Sequence, residues 1–268
     1  MDPHDLVATL QRSYTPICPT YQRVQDALAD RGETAVNDHV ALRTFSDPRL
    51  AIDRLAAPLI AAGWQPADDY VFPEKHLKAR HYEPPEPNLP KIFISQLQLQ
   101  ELDAAVADDL QALLDQLDGS PADDAFPCPG RLWNPTCEQY QRLADASEYA
   151  GWVAAHGLVA NHFTVSVGHL RDFEHLAEFN QWLTEQGFNL SQAGGEVKGS
   201  AEDGLEQSST VADPVTVAFA DGELEVPGGY VEFARRYVQQ GRRFEGFITR
   251  SANRIFESTD RPADSSDS

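Results

Sequence analysis

Three residues far apart in the chain have types that could hold a metal ion. His39 lies in "NDHVALRTF", His162 in "ANHFTVSV" and Glu232 in "GGYVEFARRY". Each stretch has the composition of a strand, in which side chains two positions apart share a face. His39, Ala41, Arg43 and Phe45 then point one way, and so, in their own strands, do His162, Thr164 and Ser166, and Tyr230, Glu232 and Ala234. A carboxylate among aromatic and β-branched neighbours is costly to bury without a partner, and a metal ion is such a partner. Two imidazoles and one carboxylate are the donors of the facial triad that binds non-haem ferrous iron and leaves positions open. Zinc or manganese would accept the same donors, and spacing alone does not separate them. A single histidine in a strand is more often an ordinary hydrogen-bonded residue, so the pairing carries the metal reading.

Arg43 adds a substrate argument. It stands four places after His39, about 13 Å along a strand at roughly 3.3 Å per residue. A guanidinium matches a carboxylate bidentately, so it suits a molecule with one end on the metal and a carboxylate at the other. A structural salt bridge with one of the many acidic residues is the competing use. In "FPEKHLKARHYEPP", alternation puts His76, Lys78 and Arg80 on one face, which could line an anion pocket or face solvent on an edge strand. In "VKGSAEDGLEQSST", Gln207, Ser208 and Ser209 could orient a ligand or serve a turn. No glycine-rich phosphate loop and no G-x-S-x-G motif is present.

The elements that must position these residues recur in order. "HVALRTF" is followed by a helical pattern, "DPRLAIDRLAAPLIAAGW", with an Asp-Pro start signal and a stop at Gly63. "ANHFTVSV" is likewise followed by an amphipathic helix that stops at Gly187. From His39 to Gly63 is 24 positions and from His162 to Gly187 is 25, which suggests duplication and a shared cleft. Strand-like runs follow each helix: "KIFISQLQL" in the first half, "PVTVAFADGELEVP" and "GGYVEFARRY" in the second. We expect an α+β fold in a single catalytic domain over 1–257, with repeat units at about 36–98 and 159–238. A helical insert at about 99–150 should pack outside the sheet, "RFEGFITRSANRIFEST" could cover a cleft, and 258–268 should be a disordered acidic tail.

Composition excludes several classes. Among 268 residues, 42 are acidic against 21 basic, and only four of the latter are lysines, so no basic stripe is available for nucleic acid. No apolar run approaches the roughly 18 residues of a membrane span, and the N-terminal stretch reads as a short amphipathic helix, so a soluble, cytoplasmic protein is expected. The three cysteines, Cys18, Cys128 and Cys137, show no C-x-x-C spacing, which argues against a disulfide framework and a thiolate zinc site.

Taken together, "NDHVALRTF", "KHLKARHYEP", "ANHFTVSV", "LEQSST", "GGYVEFARR" and "RSANRIFEST" resemble the 2-oxoadipate dioxygenase/decarboxylase family, a branch related to the vicinal oxygen chelate enzymes. The resemblance implies Fe(II) held by His39, His162 and Glu232, with Arg43 gripping a substrate carboxylate. It implies that dioxygen and a 2-oxo diacid, 2-oxoadipate first, give 2-hydroxyglutarate and carbon dioxide, a step of lysine catabolism. It also implies two strand-helix-strand units forming a curved, mixed or antiparallel sheet around a metal cleft. Two other readings stay open. One is a glyoxalase-like lyase or isomerase that uses its metal as a Lewis acid without oxygen. The other is a non-catalytic module that binds a small acid.

Overall fold

The computed structural model describes residues 1–119 and 128–248. The expected acidic tail at 258–268 and the motif "RSANRIFEST" lie outside the described residues. The chain opens with α1 (Pro3–Tyr14) and α2 (Pro19–Asp30). The Asp2 carboxylate accepts the backbone N–H groups of His4 and Asp5, and Pro3 supplies a residue whose missing N–H costs nothing in a first turn.

The first repeat unit then runs β1 (Asn37–Phe45), α3 (Ile52–Ala61), β2 (Gln65–Phe72), β3 (Leu77–Glu83) and β4 (Lys91–Leu97). Three helices follow: α4 (Ala104–Leu114), α5 (Cys137–Ala146) and α6 (Glu148–His156). The second unit runs β5 (Ala160–Ser166), α7 (Leu176–Glu185), β6 (Lys198–Ser200) and β7 (Leu205–Ser209), then, after a separate hairpin of β8 (Pro214–Phe219) and β9 (Gly222–Pro227), β10 (Tyr230–Arg236). A last short hairpin, β11 (Val238–Gln239) and β12 (Arg242–Arg243), completes the described elements.

The eight-stranded sheet has the order β2-β3-β4-β1-β5-β10-β7-β6. Each half has the same internal order, with β1 parallel to β4 in one and β5 parallel to β10 in the other, and the halves meet where β1 and β5 pair antiparallel. The two halves thus form one mixed sheet built from a repeated strand order, as the repeat in the sequence predicts. Gly63 (φ 107°) and Gly187 (φ 83°) end α3 and α7 in the left-handed region, where a side chain would be strained. The aromatic residue after each, Trp64 and Phe188, turns into the core.

Apolar side chains on the outer face of the sheet are covered by helices. Phe163 is fully buried under α1 and α2, its ring 5.0 Å from Tyr14 and 5.3 Å from Tyr21. The Tyr14 hydroxyl also donates to the Tyr230 carbonyl at 2.5 Å, tying α1 to β10. On α7, the helix of the second unit, Phe179 meets Phe233 edge-on at 5.0 Å. No helix among the described residues is long and apolar enough to cross a membrane.

Two expectations are corrected. "PVTVAFADGELEVP" is not part of the main sheet but the β8–β9 hairpin, whose apolar residues Phe219 and Val226 pack on Tyr140 and Ala155 in a small separate cluster. Asp47 and Pro48 do not start α3. They form a turn in which the Asp47 carbonyl accepts from Leu50 and Ala51, and the helix begins at Ile52. The helices of the insert lie outside the sheet, as expected, and pack against it. The last of them, α6, runs to His156 and packs on β1, where the Tyr149 hydroxyl accepts from Thr44 N–H (3.0 Å) and donates to the Ser95 carbonyl (2.7 Å).

Phe163→Ala removes the side chain on which α1 and α2 both rest. Urea unfolding should show a loss of about 3–5 kcal/mol.

Candidate metal centre

The inner face of the sheet carries polar side chains where the outer face carries apolar ones. In the ladders, Thr164 on β5 lies opposite both His39 on β1 and Glu232 on β10, and His162 follows two places away on the same face. That register makes a triangle. One ligand atom each from His39, His162 and Glu232 lies within 4.8 Å of the other two, and all three side chains are buried. Glu232 Oε1 stands 3.1 Å from His39 Nε2, and Oε2 stands 3.6 Å from His162 Nε2.

Two bulges set the imidazoles. The β1–β5 register slips by one residue at Asp38 and by one at Asn161, the residues just before the two histidines. A bulge re-aims a side chain that alternation would send to the other face. Asp38 Oδ1 thereby sits 2.9 Å from His39 Nδ1, and Asn161 Oδ1 sits 2.9 Å from His162 Nδ1. An oxygen acceptor at each Nδ1 places a proton there and makes Nε2 the nitrogen that faces a metal. Asp38 is held in turn by Arg236, whose Nε and Nη2 both donate to it at 2.8 Å in a buried ion pair. On the carboxylate side, Gln207 Nε2 donates to Glu232 Oε1 at 2.6 Å, and the Thr164 hydroxyl donates to the same oxygen at 3.2 Å.

The donors fit a metal because one of them is unspent. Glu232 Oε2 is buried with no hydrogen-bond partner among the described residues, 3.6 Å from His162 Nε2. A buried, unpaired anionic oxygen is rare and calls for a cation. Burial alone would raise the Glu232 carboxyl, but the imidazoles and Gln207 hold it down at about 2. Burial presses His162 down to about 3, so it is neutral with its lone pair available. Burial acts the same way on His39, but the Glu232 and Asp38 carboxylates outweigh it and raise its pKa.

The cavity over the triad is lined further by Ala41, Arg43, Phe93, Ser95, Asn161 and Gln207. Arg43 is thus on the inner face with His39, as alternation predicts, yet it also makes the competing salt bridge: Nη1 donates to Glu148 Oε1 at 2.6 Å. Its guanidinium lies over the rings of Tyr149 (4.9 Å) and Trp152 (5.2 Å). The segment after β12 crosses the cavity. Phe247 packs its ring 4.8 Å from His39 and 4.8 Å from Phe93, and Arg236 donates to the Gly246 carbonyl at 2.7 Å.

Lys78 is not brought to the site. It is exposed on β3 and lines a surface hollow with Asp53 and Arg80, on the face away from the triad. His81, one step out of that phase, turns inward with Ala79 and sits between the Tyr70 hydroxyl (2.9 Å) and Glu83 (3.0 Å). His76 sits in a left-handed turn, outside the strand alternation altogether. Ser208 also faces away, donating to Asn180 of α7 at 2.7 Å, whereas Ser209 lies opposite Glu232 in the ladder. Asp38 and Asn161 were missed. Their signal was present in the repeat of an Asx residue before each histidine, but strict alternation hid it.

Two measurements follow. Asp38→Asn weakens the acceptor on His39 and should lower metal affinity by about 10- to 100-fold in a metal titration. Because His39 keeps its proton above its ordinary range, a metal must displace that proton. Metal affinity should therefore fall as the pH is lowered and His39 takes up that proton, with proton release visible by calorimetry in buffers of different ionisation heat.

Comparison with known proteins agrees with this centre. The sequence profile of the 2-oxoadipate dioxygenase/decarboxylase family matches residues 4–120 and 130–244. A chloroplastic 2-oxoadipate dioxygenase/decarboxylase from Arabidopsis thaliana is 34% identical over 250 residues, 83% of this chain and 67% of that one. The hydroxyglutarate synthase of Oryza sativa, solved in complex with 2-oxoadipate, superimposes with a TM-score of 0.86 at 30% identity, covering 95% of this chain and 91% of that one. A protein from Shewanella frigidimarina, which carries the provisional description of a hydrolase, superimposes with a TM-score of 0.87 at 42% identity, covering 92% and 98%. With a match that spans both halves of the sheet and is interrupted only at 121–129, inside the helical insert, the chain belongs to the 2-oxoadipate dioxygenase/decarboxylase family.

Proposed function

We propose that this protein is an Fe(II)-dependent dioxygenase that converts 2-oxoadipate and dioxygen into 2-hydroxyglutarate and carbon dioxide. The observation that carries the reading is the convergence of His39, His162 and Glu232 within 4.8 Å, in one cavity with a buried arginine. Two histidines and one carboxylate with open positions are the donor set of ferrous oxygenases. Iron bound there would supply the electrons that activate dioxygen. The stoichiometry closes without a second organic substrate: a six-carbon 2-oxo diacid plus O2 equals a five-carbon hydroxy diacid plus CO2.

The chain's own residues bind, orient and exclude water. Asp38 and Asn161 fix the two imidazoles, and Gln207 fixes Glu232. The keto acid end of the substrate lies at the triad, and the distal carboxylate reaches Arg43, whose guanidinium matches it in shape and charge. Phe93 and Phe247 make the cavity apolar on one side, which keeps bulk water from the reacting centre.

The test is oxygen uptake by metal-stripped protein given Fe(II) and 2-oxoadipate, with mass-spectrometric detection of product. One 2-hydroxyglutarate should form per O2 consumed, and His162→Ala should abolish both. Turnover that persists under argon, with no oxygen uptake on any 2-oxo diacid, would overturn the proposal in favour of oxygen-independent chemistry.

A further inference from the structure

The Arg43–Glu148 ion pair stands between two spaces. Arg43 lines the inner cavity over the triad, and Glu148, in the first turn of α6, lines an outer one that also touches Lys75, His76, Glu101 and Tyr149. The inner space is about 30 Å³ and the outer about 380 Å³. A space of that size has room for about two water molecules, less than a six-carbon diacid fills.

We propose that Glu148 is the resident anion on Arg43, that the distal carboxylate of a 2-oxo diacid replaces it there, and that this exchange makes Glu148 a determinant of diacid selection. The inference rests on the reading that Arg43 receives that carboxylate.

Charge drives the argument. Arg43 is only 1% exposed, and its one positive charge is already balanced by Glu148 at 2.6 Å. A second carboxylate brought to the same guanidinium would leave a buried negative charge uncompensated, which a low-dielectric cavity penalises heavily. The other groups on the inner cavity that can carry positive charge, His39 and His162, face Glu232. Exchange avoids the excess: Arg43 has one anion before and one after.

Glu148 has somewhere to go. Its side chain is 20% exposed, against 2% for Arg43, and it already borders the outer cavity. Its departure would also remove the partition and join the inner space to the outer, giving the distal half of the substrate the room it lacks. A second donor waits at the same place. Tyr230 is fully buried, stacked on His162 at 4.7 Å, and its hydroxyl lies within the fields of Arg43 and Glu232. That hydroxyl neighbours the Arg43 guanidinium, which can donate to it, but among the described residues its own proton has no acceptor. A carboxylate on Arg43 offers it an acceptor. A monoacid of equal length brings no such group, so it neither needs the exchange nor gains from it.

The experiment measures binding of 2-oxoadipate and of 2-oxohexanoate, its monoacid counterpart of equal chain length, to Fe(II)-loaded protein by calorimetry under argon. Glu148→Gln keeps the shape but removes the competing charge. The dissociation constant for 2-oxoadipate should fall by about tenfold, and that for 2-oxohexanoate should stay unchanged or rise. The thermal midpoint of Glu148→Gln should be lower without ligand and should rise further on adding 2-oxoadipate than it does in the unsubstituted protein. Should Glu148→Gln not fold, Glu148→Asp retains the charge on a shorter reach and should tighten diacid binding by a smaller factor, about threefold. Diacid binding that is unchanged or weaker in the folded variant, while the unsubstituted protein binds and turns over 2-oxoadipate, overturns this inference alone and makes Glu148 a fixed support for Arg43. Failure of the unsubstituted Fe(II) protein to bind any 2-oxo diacid overturns both.

Discussion

Glu232 is a carboxylate with 1% of its side chain exposed, in the middle of a sheet, and the rest of the site is arranged around the cost of putting it there. Removing an ionised carboxylate from water costs several kcal/mol even after the surroundings relax, at roughly the scale of a domain's whole stability. One oxygen is served by Gln207, Thr164 and His39, and the other is left to a metal. The compensation extends outward as a chain of alternating charge, from Glu232 through His39 and Asp38 to Arg236. Arg236 then holds the Phe244 and Gly246 carbonyls, so the segment that lays Phe247 over the cavity is tied to the same charges that orient a metal ligand.

The two repeat units share a scaffold but divide the chemistry. Matching His39 with His162 along the ladders sets Phe93 of β4 against Glu232 of β10, and Arg43 of β1 against Ser166 of β5. Each unit supplies one histidine with its own bulge and its own Nδ1 acceptor. Only the second supplies the carboxylate. In the first, the equivalent strand carries an aromatic wall instead, and the equivalent of Ser166 is the arginine. One half therefore completes the metal triad and the other shapes the space beside it, an asymmetry that a symmetric pair of units would not provide.

Neither half closes the cavity. That falls to segments outside the repeats: α6, which brings Glu148, Tyr149 and Trp152 around Arg43, and the stretch after β12, which brings Phe247. Such additions can change without disturbing the sheet, because their contacts with it are side-chain packing and a few hydrogen bonds rather than a strand ladder.

The alternation of "HVALRTF", "NHFTVSV" and "YVEF" was enough to place His39, Arg43, His162 and Glu232 on inward faces, because period two is a local property of an extended chain. The helix, glycine and aromatic residue after each histidine strand were legible for a similar reason, since a stop at positive φ and a buried ring leave local signatures. Lys78 and Ser208 were misplaced because a loop can set a strand's phase either way, and only pairing with neighbouring strands fixes which face is which. The two bulges were unreadable because an extra residue in one strand exists only relative to its partner. The ion pair of Arg43 with Glu148, 105 positions apart, was unreadable because any of many acidic residues could have met that guanidinium. Sequence alone determined which residues share a face within the two histidine strands and the glutamate strand, and the repeat that carries them. Tertiary structure decided which inward residues meet, because register, bulges and the docking of α6 are set by contacts between segments distant in the chain.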